Sequence, residues 1–168
     1  MKMKCLSAYS LCAKVIYILI FFILGLFQQY VLGQSCSFSS TAGSQDFSNT
    51  LTSTITITGL SGNITDINVK DLSILHTWVG DIKATLTSPN NITVVLFDRP
   101  GIPASTFGCS GNDMLVTLDD EAASQLENVC NNNSPAISGT YQPVNPLSAF
   151  DGVSPNGTWT LTIIDNFV

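Results

Sequence analysis

Six acidic residues have the type and placement to bind a metal ion. They fall at the ends of predicted strands or in loops, and they are Asp81, Asp119, Asp120, Glu121, Asp151 and Asp165. Calcium takes roughly six to eight oxygen ligands, which carboxylates from several loops can supply. The spacing fits no single-loop calcium motif, so the same acids could instead accept hydrogen bonds from turn backbones and face solvent. We predict calcium as a candidate cofactor, with turn capping as the alternative.

The sequence lacks the residues that a hydrolytic enzyme needs. His76 is the only histidine, whereas a serine nucleophile needs a base and an orienting acid, and a zinc hydrolase needs several His or Cys ligands. Ser110, in a Gly-Cys-Ser-Gly segment, is interpreted as a turn residue. The sequence therefore predicts no catalytic residues.

His76 and Trp78 are the candidate contacts to a partner. His76 continues the alternation of the apolar residues before it, so we expect it to face the core, hydrogen-bond across the turn and orient Thr77 and Asp81. The alternative is a pH-sensitive contact to a partner domain. Trp78 follows at the edge of a loop, where we expect it to be exposed and to contact a partner.

The amino-terminal segment predicts export. Three lysines accompany an apolar run over residues 15–27, which is too short to span a bilayer comfortably, and residues 31–33 offer a cleavage site. We predict that residues 1–33 are a signal peptide and that the protein is secreted or extracellular. An uncleaved signal anchor is the alternative.

Removal of the predicted signal peptide leaves 135 residues with three basic and twelve acidic side chains, a net charge of −9. A chain this acidic does not suit nucleic acid or an anionic lipid surface. We therefore expect no nucleic-acid partner, and no membrane association after cleavage. The length suits one domain with a sizeable core.

Three cysteines follow the predicted leader. We expect Cys109 to pair with Cys130, closing a polar loop and stabilising the fold by about 3 kcal/mol. Spacing alone also allows Cys36 to pair with either of them, or with a cysteine outside this chain. Export also makes four Asn-X-Ser/Thr sites candidates for glycosylation in a eukaryotic host, at Asn63, Asn91, Asn132 and Asn156.

Short alternating segments predict the elements that position these residues. Residues 34–50 are Ser-rich and aperiodic, which predicts a flexible lead-in. Period-two alternation then predicts strands near residues 51–58, 67–76, 82–87, 93–97, 114–118 and 158–163. Apart from the strand at 114–118, residues 101–150 are predicted to be mostly loop. A change of parity across Lys70 and Asp71 predicts a β-bulge. The pattern is typical of an all-β sandwich or barrel.

Seven short motifs in order carry a family resemblance. They are HTWVGDI (76–82), LTSPNN (86–91), VVLFDRPG (94–101), LDDEA (118–122), YQP (141–143), LSAFDG (147–152) and NGTWTLTIID (156–165). Over about residues 50–168 the chain resembles the P domain (Homo B domain) of kexin- and furin-like proprotein convertases of the subtilisin family.

The resemblance implies a jelly-roll-like β-sandwich of about eight short strands over residues 51–168. It also implies an accessory domain without catalytic residues, which stabilises or docks a serine endopeptidase catalytic domain and tunes its calcium and pH dependence. Some P domains bind calcium, which favours the acidic set above. P domains usually continue into one further strand, so we expect either more chain beyond Val168 or one open sheet edge.

A second function is compatible with the same sandwich, because folds do not determine function. The predicted leader is followed by no protease domain. This order favours a stand-alone secreted module that binds protein or carbohydrate, for example in adhesion. We therefore expect the partner to be a protease catalytic domain or another secreted protein.

Overall fold

Alternating apolar and polar residues form two packed sheets in a computed structural model that describes residues 2–8, 33–39, 49–102 and 104–167. The strands are β1 (Lys2–Ala8), β2 (Gly33–Ser39), β3 (Thr50–Ile57), β4 (Ile67–Ile74), β5 (Ile82–Thr87), β6 (Thr93–Asp98), β7 (Met114–Leu118), β8 (Ile137–Tyr141) and β9 (Gly157–Asp165). Helical structure in these ranges is limited to short 3₁₀ segments at Val79–Asp81, Leu126–Asn128 and Leu147–Phe150.

One sheet has the order β2-β1-β4-β7-β8 and the other the order β3-β9-β5-β6. Neighbouring strands are antiparallel except β7 and β8, which run parallel. The predicted all-β sandwich is confirmed. The last described strand, β9, lies between β3 and β5 and is not an edge of its sheet.

The β-bulge predicted from parity is present in β4. Val69 pairs with Leu118 and Leu72 pairs with Val116, so two residues of β4 stand opposite one residue of β7. Asp71 within the bulge has a positive φ of 52°. The extra residue lets apolar side chains on both sides of the bulge reach the core despite their opposite parity.

Strand β8 was not predicted, because residues 137–141 lie in the stretch read as loop. Its sequence, ISGTY, buries only Ile137 fully and contains Gly139, so it carries little alternation. Its parallel pairing with β7 is a long-range interaction that local patterning does not encode.

Aromatic and branched apolar side chains from both sheets fill the space between the layers. Trp159 is fully buried and its indole N–H donates to the Pro155 carbonyl at 2.9 Å. The Phe150 ring meets it edge-on, with ring centroids 5.0 Å apart. This core holds the loops at both ends of the sandwich in place.

Part of the amino-terminal prediction lies outside the described residues. The apolar run at 15–27 and residues 31–32 before the predicted cleavage site belong to that part, as do residues 40–48 of the predicted lead-in. The last residue of the predicted signal peptide, Gly33, and the first six residues of the predicted lead-in form β2, which pairs with β1, and β1 in turn pairs with β4. Among the described residues, none of the helical segments has the length and apolarity to cross a bilayer.

Candidate functional site

The six predicted acids lie at opposite ends of the sandwich. Strand β4 begins beside Asp66 and ends two residues before His76, and eight residues of strand span about 25 Å. We call the end near Asp66 the acidic end; it carries Asp66, Asp119, Asp120, Glu121 and Asp151. The opposite end carries Asp81 and Asp165, and we call it the aromatic end for its exposed rings Trp78, Phe107 and Phe167.

The turn between β4 and β5 is clamped against the loop that contains Phe107. The Gly80 N–H donates to the Cys109 carbonyl at 2.8 Å, and the Val79 N–H donates to Gly111 at 2.9 Å. A Cβ on Gly80 would overlap the backbone of Gly108 and Cys109, so only glycine allows this approach. The two chain segments therefore form one rigid unit.

Trp78 is displayed on this unit in a left-handed backbone conformation, with φ 60°. The residue is 41% exposed, and its indole N–H donates to the backbone carbonyl of Phe107 at 2.7 Å. Phe107 is itself 68% exposed. A non-glycine residue at positive φ costs about 1 kcal/mol or more, which the surrounding hydrogen bonds must offset. The predicted exposure of Trp78 is confirmed, and its contact to a partner stays a prediction.

Arg99 links the third exposed ring to the same unit. The guanidinium lies 4.4 Å from the centroid of the ring of Phe167, a residue that is 56% exposed, and the Arg99 Nε–H donates to the Gly80 carbonyl at 3.4 Å. A cation over an aromatic face is attracted by the ring quadrupole. Three exposed aromatic rings thus lie at one end of the sandwich, and side-chain contacts hold two of them, Trp78 and Phe167.

The disulfide predicted between Cys109 and Cys130 is present, with Cα atoms 5.4 Å apart. It joins the loop after Phe107 to the segment before β8. Asp113 adds a second tie, because its carboxylate accepts from the His76 N–H at 3.1 Å and from the Ser134 hydroxyl at 2.8 Å.

The titratable groups behind the aromatic rings are close together. His76 is buried as expected, and its Nε2 lies 4.0 Å from a carboxylate oxygen of the buried Asp165. Burial raises the pKa of Asp81, the nearby Asp165 carboxylate raises it further, and Arg99 and His76 oppose the shift. The role of His76 in orienting Thr77 and Asp81 stays a prediction.

Glu127 is a titratable group at this end that sequence analysis did not single out. Its pKa is raised from 4.5 to about 7, chiefly by burial; a hydrogen bond from the Asp98 N–H at 2.7 Å opposes this shift, and the nearby Asp98 carboxylate adds a smaller upward contribution. Its backbone carbonyl accepts from the Gly101 N–H at 2.9 Å. No local motif marks this glutamate, because its burial depends on the loop from Arg99 to Gly101.

The carboxylates of the acidic end hold turns. Asp120 accepts from the Leu147 N–H with one oxygen and from the Ser148 N–H with the other, both at 2.8 Å, and so caps the 3₁₀ segment Leu147–Phe150. Asp119 accepts from the backbone N–H of Glu121 at 2.9 Å. The turn-capping alternative accounts for both aspartates.

The pKa values of two further acids at this end, Glu121 and Asp151, are also raised. A hydrogen bond with Asp119 raises the pKa of the Glu121 carboxyl. Burial raises the pKa of Asp151, and the nearby Asp66 and Asp120 carboxylates raise it further. Asp66 was missed by sequence analysis, because it precedes β4 outside the quoted motifs.

These positions do not fit one calcium site built from all six predicted acids. The two groups are separated by the length of the strands. Within the described ranges, no three acidic, His or Cys side chains are arranged to hold a metal ion. Calcium binding by some subset of these acids stays a prediction.

The four candidate glycosylation sites differ in how their side chains are used. Asn63, Asn91 and Asn132 are exposed. Asn156 instead accepts from the Leu60 N–H at 3.0 Å and donates its amide to the Leu60 carbonyl at 2.8 Å. Since a glycan is attached at that amide nitrogen, modification of Asn156 would disturb the turn at Leu60. Glycosylation of all four stays a prediction.

Two signals for the aromatic end were missed in the sequence. Phe107 lies in a polar loop and Phe167 follows the last motif, and an aromatic residue outside any alternating segment is a sign of surface display. Arg99 carried no comparable signal, because its contact with Phe167 joins the end of β6 to the end of β9.

The described residues thus form a two-layer β-sandwich with three exposed aromatic rings at one end. Comparison with protein families matches residues 64–168 to the proprotein convertase P-domain. Because the match covers more than half of the chain, this chain belongs to the proprotein convertase P-domain family, as the motifs predicted. Neither the comparison with curated proteins nor that with solved structures gives a match.

Proposed function

We propose that this chain is a non-catalytic accessory P domain that stabilises a serine endopeptidase catalytic domain by docking through its aromatic end. Membership of the P-domain family supports association with such a catalytic domain. One observation supports the choice of surface: Trp78, Phe107 and Phe167 are all exposed at the aromatic end.

The physical reason for this choice is the cost of ordering side chains on binding. Interfaces draw most of their affinity from a few aromatic and arginine side chains, and rings already held in place lose little conformational freedom. The indole hydrogen bond and the cation–π contact hold two of these rings before a partner arrives. Charged groups close to the rings, Arg99 and Asp81, would set the register of docking.

We further propose that the domain acts outside the cell or within the secretory pathway. The Cys109–Cys130 disulfide supports an oxidising compartment, and the predicted leader supports export. Proprotein convertase P domains belong to proteins of the secretory pathway, so the catalytic partner that the family implies would lie in the same compartment.

A binding experiment tests the docking surface. The chain is mixed with a convertase-type catalytic domain that lacks its own P domain, and the dissociation constant and the melting temperature of the catalytic domain are measured. Phe107→Ser and Phe167→Ser should each weaken binding at least about tenfold. Leu115→Ser is the matched control, because Leu115 is 48% exposed on the outer face of the five-stranded sheet.

Two results would contradict the proposal in different ways. A large loss with Leu115→Ser and none with the phenylalanine variants would move the docking surface to the sheet face. Failure of the wild-type chain to bind any convertase-type catalytic domain would remove the accessory function and favour a stand-alone binding module.

A further inference from the structure

We propose that Arg99 binds a carboxylate of the docking partner, so that the surface of the catalytic domain facing the aromatic end carries an aspartate or a glutamate. This assignment rests on the proposed function and specifies the chemistry of the partner surface. Its basis is a guanidinium group that the fold holds in place while the terminal amino groups have no acceptor.

The fold fixes Arg99 through both its backbone and its side chain. The backbone has a positive φ of 59°, and its N–H donates to the Ile82 carbonyl at 2.9 Å. The Nε–H donates to the Gly80 carbonyl at 3.4 Å, and the guanidinium lies over the Phe167 ring at 4.4 Å. Non-glycine residues with positive φ persist only where the surrounding structure holds them, and they cluster at binding sites. Arg99 is therefore oriented before a partner arrives.

The terminal amino groups of Arg99 are unused within the described part of the chain. Among the residues described there, only Nε of this side chain donates a hydrogen bond, and no carboxylate lies within ion-pair distance of the guanidinium. The Arg99 charge opposes the rise in the pKa of Asp81, so this acid senses the guanidinium without forming an ion pair with it. A guanidinium fork matches the two oxygens of a carboxylate, and such charge-assisted pairs are strong. Nη1 and Nη2 can therefore donate to both oxygens of an incoming carboxylate.

Lys83, at the same end of the sandwich, shows the contrast. Its Nζ lies 2.6 Å from a carboxylate oxygen of Asp98, which the strand register places opposite it. The charge of Lys83 is thus already paired within the chain, whereas that of Arg99, the residue after Asp98, is available to a partner.

The surroundings of Arg99 favour a carboxylate on a protein surface. Trp78, Phe107 and Phe167 supply exposed aromatic area at this end. Rings that exclude water from a contact strengthen an ion pair beside them, because the local dielectric constant falls. A polyanion would meet the negative net charge of the chain, which is −6, whereas a single carboxylate brings one charge to one unpaired cation.

The binding experiment with the catalytic domain tests this ion pair. Arg99→Gln should raise the dissociation constant at least about tenfold, because it removes both the charge and the fork. Lys83→Gln is the matched control and should change the constant by less than about threefold, since Lys83 already has a partner. Arg99→Lys should give an intermediate loss, because an ammonium group keeps the charge without the fork.

Salt dependence separates the ion pair from a purely structural role of Arg99. The dissociation constant of the wild-type chain should rise with ionic strength more steeply than that of Arg99→Gln. A charge reversal then identifies the acid: Arg99→Glu should bind weakly, and replacing one surface aspartate or glutamate of the catalytic domain with arginine should restore binding.

A second measurement does not depend on the catalytic domain. A peptide with blocked ends and one glutamate between two phenylalanines, and its glutamine counterpart, are titrated into the protein expressed from its full coding sequence. The NMR signals of the Arg99 Nε–H and the Trp78 indole N–H report binding. The glutamate peptide should bind more tightly than the glutamine peptide, and Arg99→Gln should remove the difference.

The outcomes distinguish this inference from the proposed function. If the wild-type chain binds the catalytic domain and Arg99→Gln binds within about twofold of it, the carboxylate contact is overturned and the proposed function stands. If the wild-type chain binds no catalytic domain, the proposed function fails and the peptides decide the inference. No preference for the glutamate peptide would then overturn it, and a preference that Arg99→Gln removes would support it.

Discussion

The two ends of the sandwich use carboxylates in different ways. At the acidic end, Asp119 and Asp120 accept backbone hydrogen bonds and hold turns. At the aromatic end, Asp81, Glu127 and Asp165 lie behind exposed rings, and burial raises the pKa of the first two. Burial also raises the pKa of Asp151 at the acidic end, but that of Glu127 at the aromatic end reaches about 7, so the comparison teaches that the size of the shift follows from what packs over a carboxylate.

The largest expected effect is a loss of stability, and it is tested by substituting one glycine at each end of the sandwich. Gly80→Ala should lower the free energy of unfolding by about 3 kcal/mol or more, because its Cβ would overlap the backbone of Gly108 and Cys109. Gly152→Ala, at the acidic end, should cost only about 1 kcal/mol, since φ is 77° there but no heavy atom lies within 4 Å of the added carbon. Urea denaturation followed by Trp fluorescence measures both. Equal losses would show that the aromatic end is no more tightly packed than the other.

The second prediction concerns the cap at the acidic end. Asp120→Ala should destabilise the fold by about 2 kcal/mol, because the Leu147 and Ser148 N–H groups both lose their acceptor. Asp120→Asn should recover part of the loss, since the amide keeps one oxygen. Thermal melts of the three proteins provide the measurement. An alanine variant as stable as wild type would remove the structural role assigned to this carboxylate.

The third prediction is a pH dependence that originates at the aromatic end. The folded-state pKa of Glu127 is raised to about 7 from 4.5, so the folded state binds its proton more tightly than the unfolded state does. Its contribution to stability is present below pH 4.5 and is lost as the pH rises toward 7. After solvent screening is taken into account, we expect a loss of about 1 kcal/mol.

Glu127→Gln isolates this contribution. The amide oxygen still accepts from the Asp98 N–H but carries no charge, so the loss of stability between pH 5 and pH 8 should be smaller than in wild type. Chemical denaturation at each pH gives the free energy of unfolding of both proteins. Subtracting one curve from the other removes the contribution of the titratable groups that the two proteins share. Parallel curves would mean that Glu127 is as well solvated in the folded state as in the unfolded state.

The smallest expected effect is that of calcium on stability. A site saturated at a hundred times its dissociation constant would stabilise the fold by about 2.7 kcal/mol. Because the predicted acids lie at two ends, only a subset of them could contribute to one site, so we expect millimolar calcium to raise the melting temperature by no more than about 1 °C. A calorimetric melt with calcium and with a chelator measures this. A clear upward shift would support the calcium site predicted from sequence.

Much of the fold was predictable because strand alternation is local. The segments at β3, β5, β6, β7 and β9, the bulge in β4 and the burial of His76 all followed from period-two patterns. β8 was missed because its pairing partner, β7, and not its own sequence makes it a strand. The Cys109–Cys130 pairing was chosen from the nature of the intervening loop and is confirmed.

The candidate site was less predictable, because it depends on which strand ends meet. Trp78 was expected to be exposed, but Phe107, Arg99 and Phe167 come from three other segments that only the fold brings to the same end. The six acids were grouped by residue type, and the strands separate them into two sets. The sequence specifies the chemistry of each side chain. Which side chains lie close together depends on the strand register in both sheets.

By itself, the sequence determined the residue types, the two-residue alternation and the ordered motifs of the P-domain family, since each is a local property of the chain. Only the tertiary structure decided that Gly80 packs on Gly108, that Glu127 is buried, and that three aromatic rings share one end. The physical reason is that burial and close approach arise between segments distant in sequence, and their energies exist only once both sheets are packed.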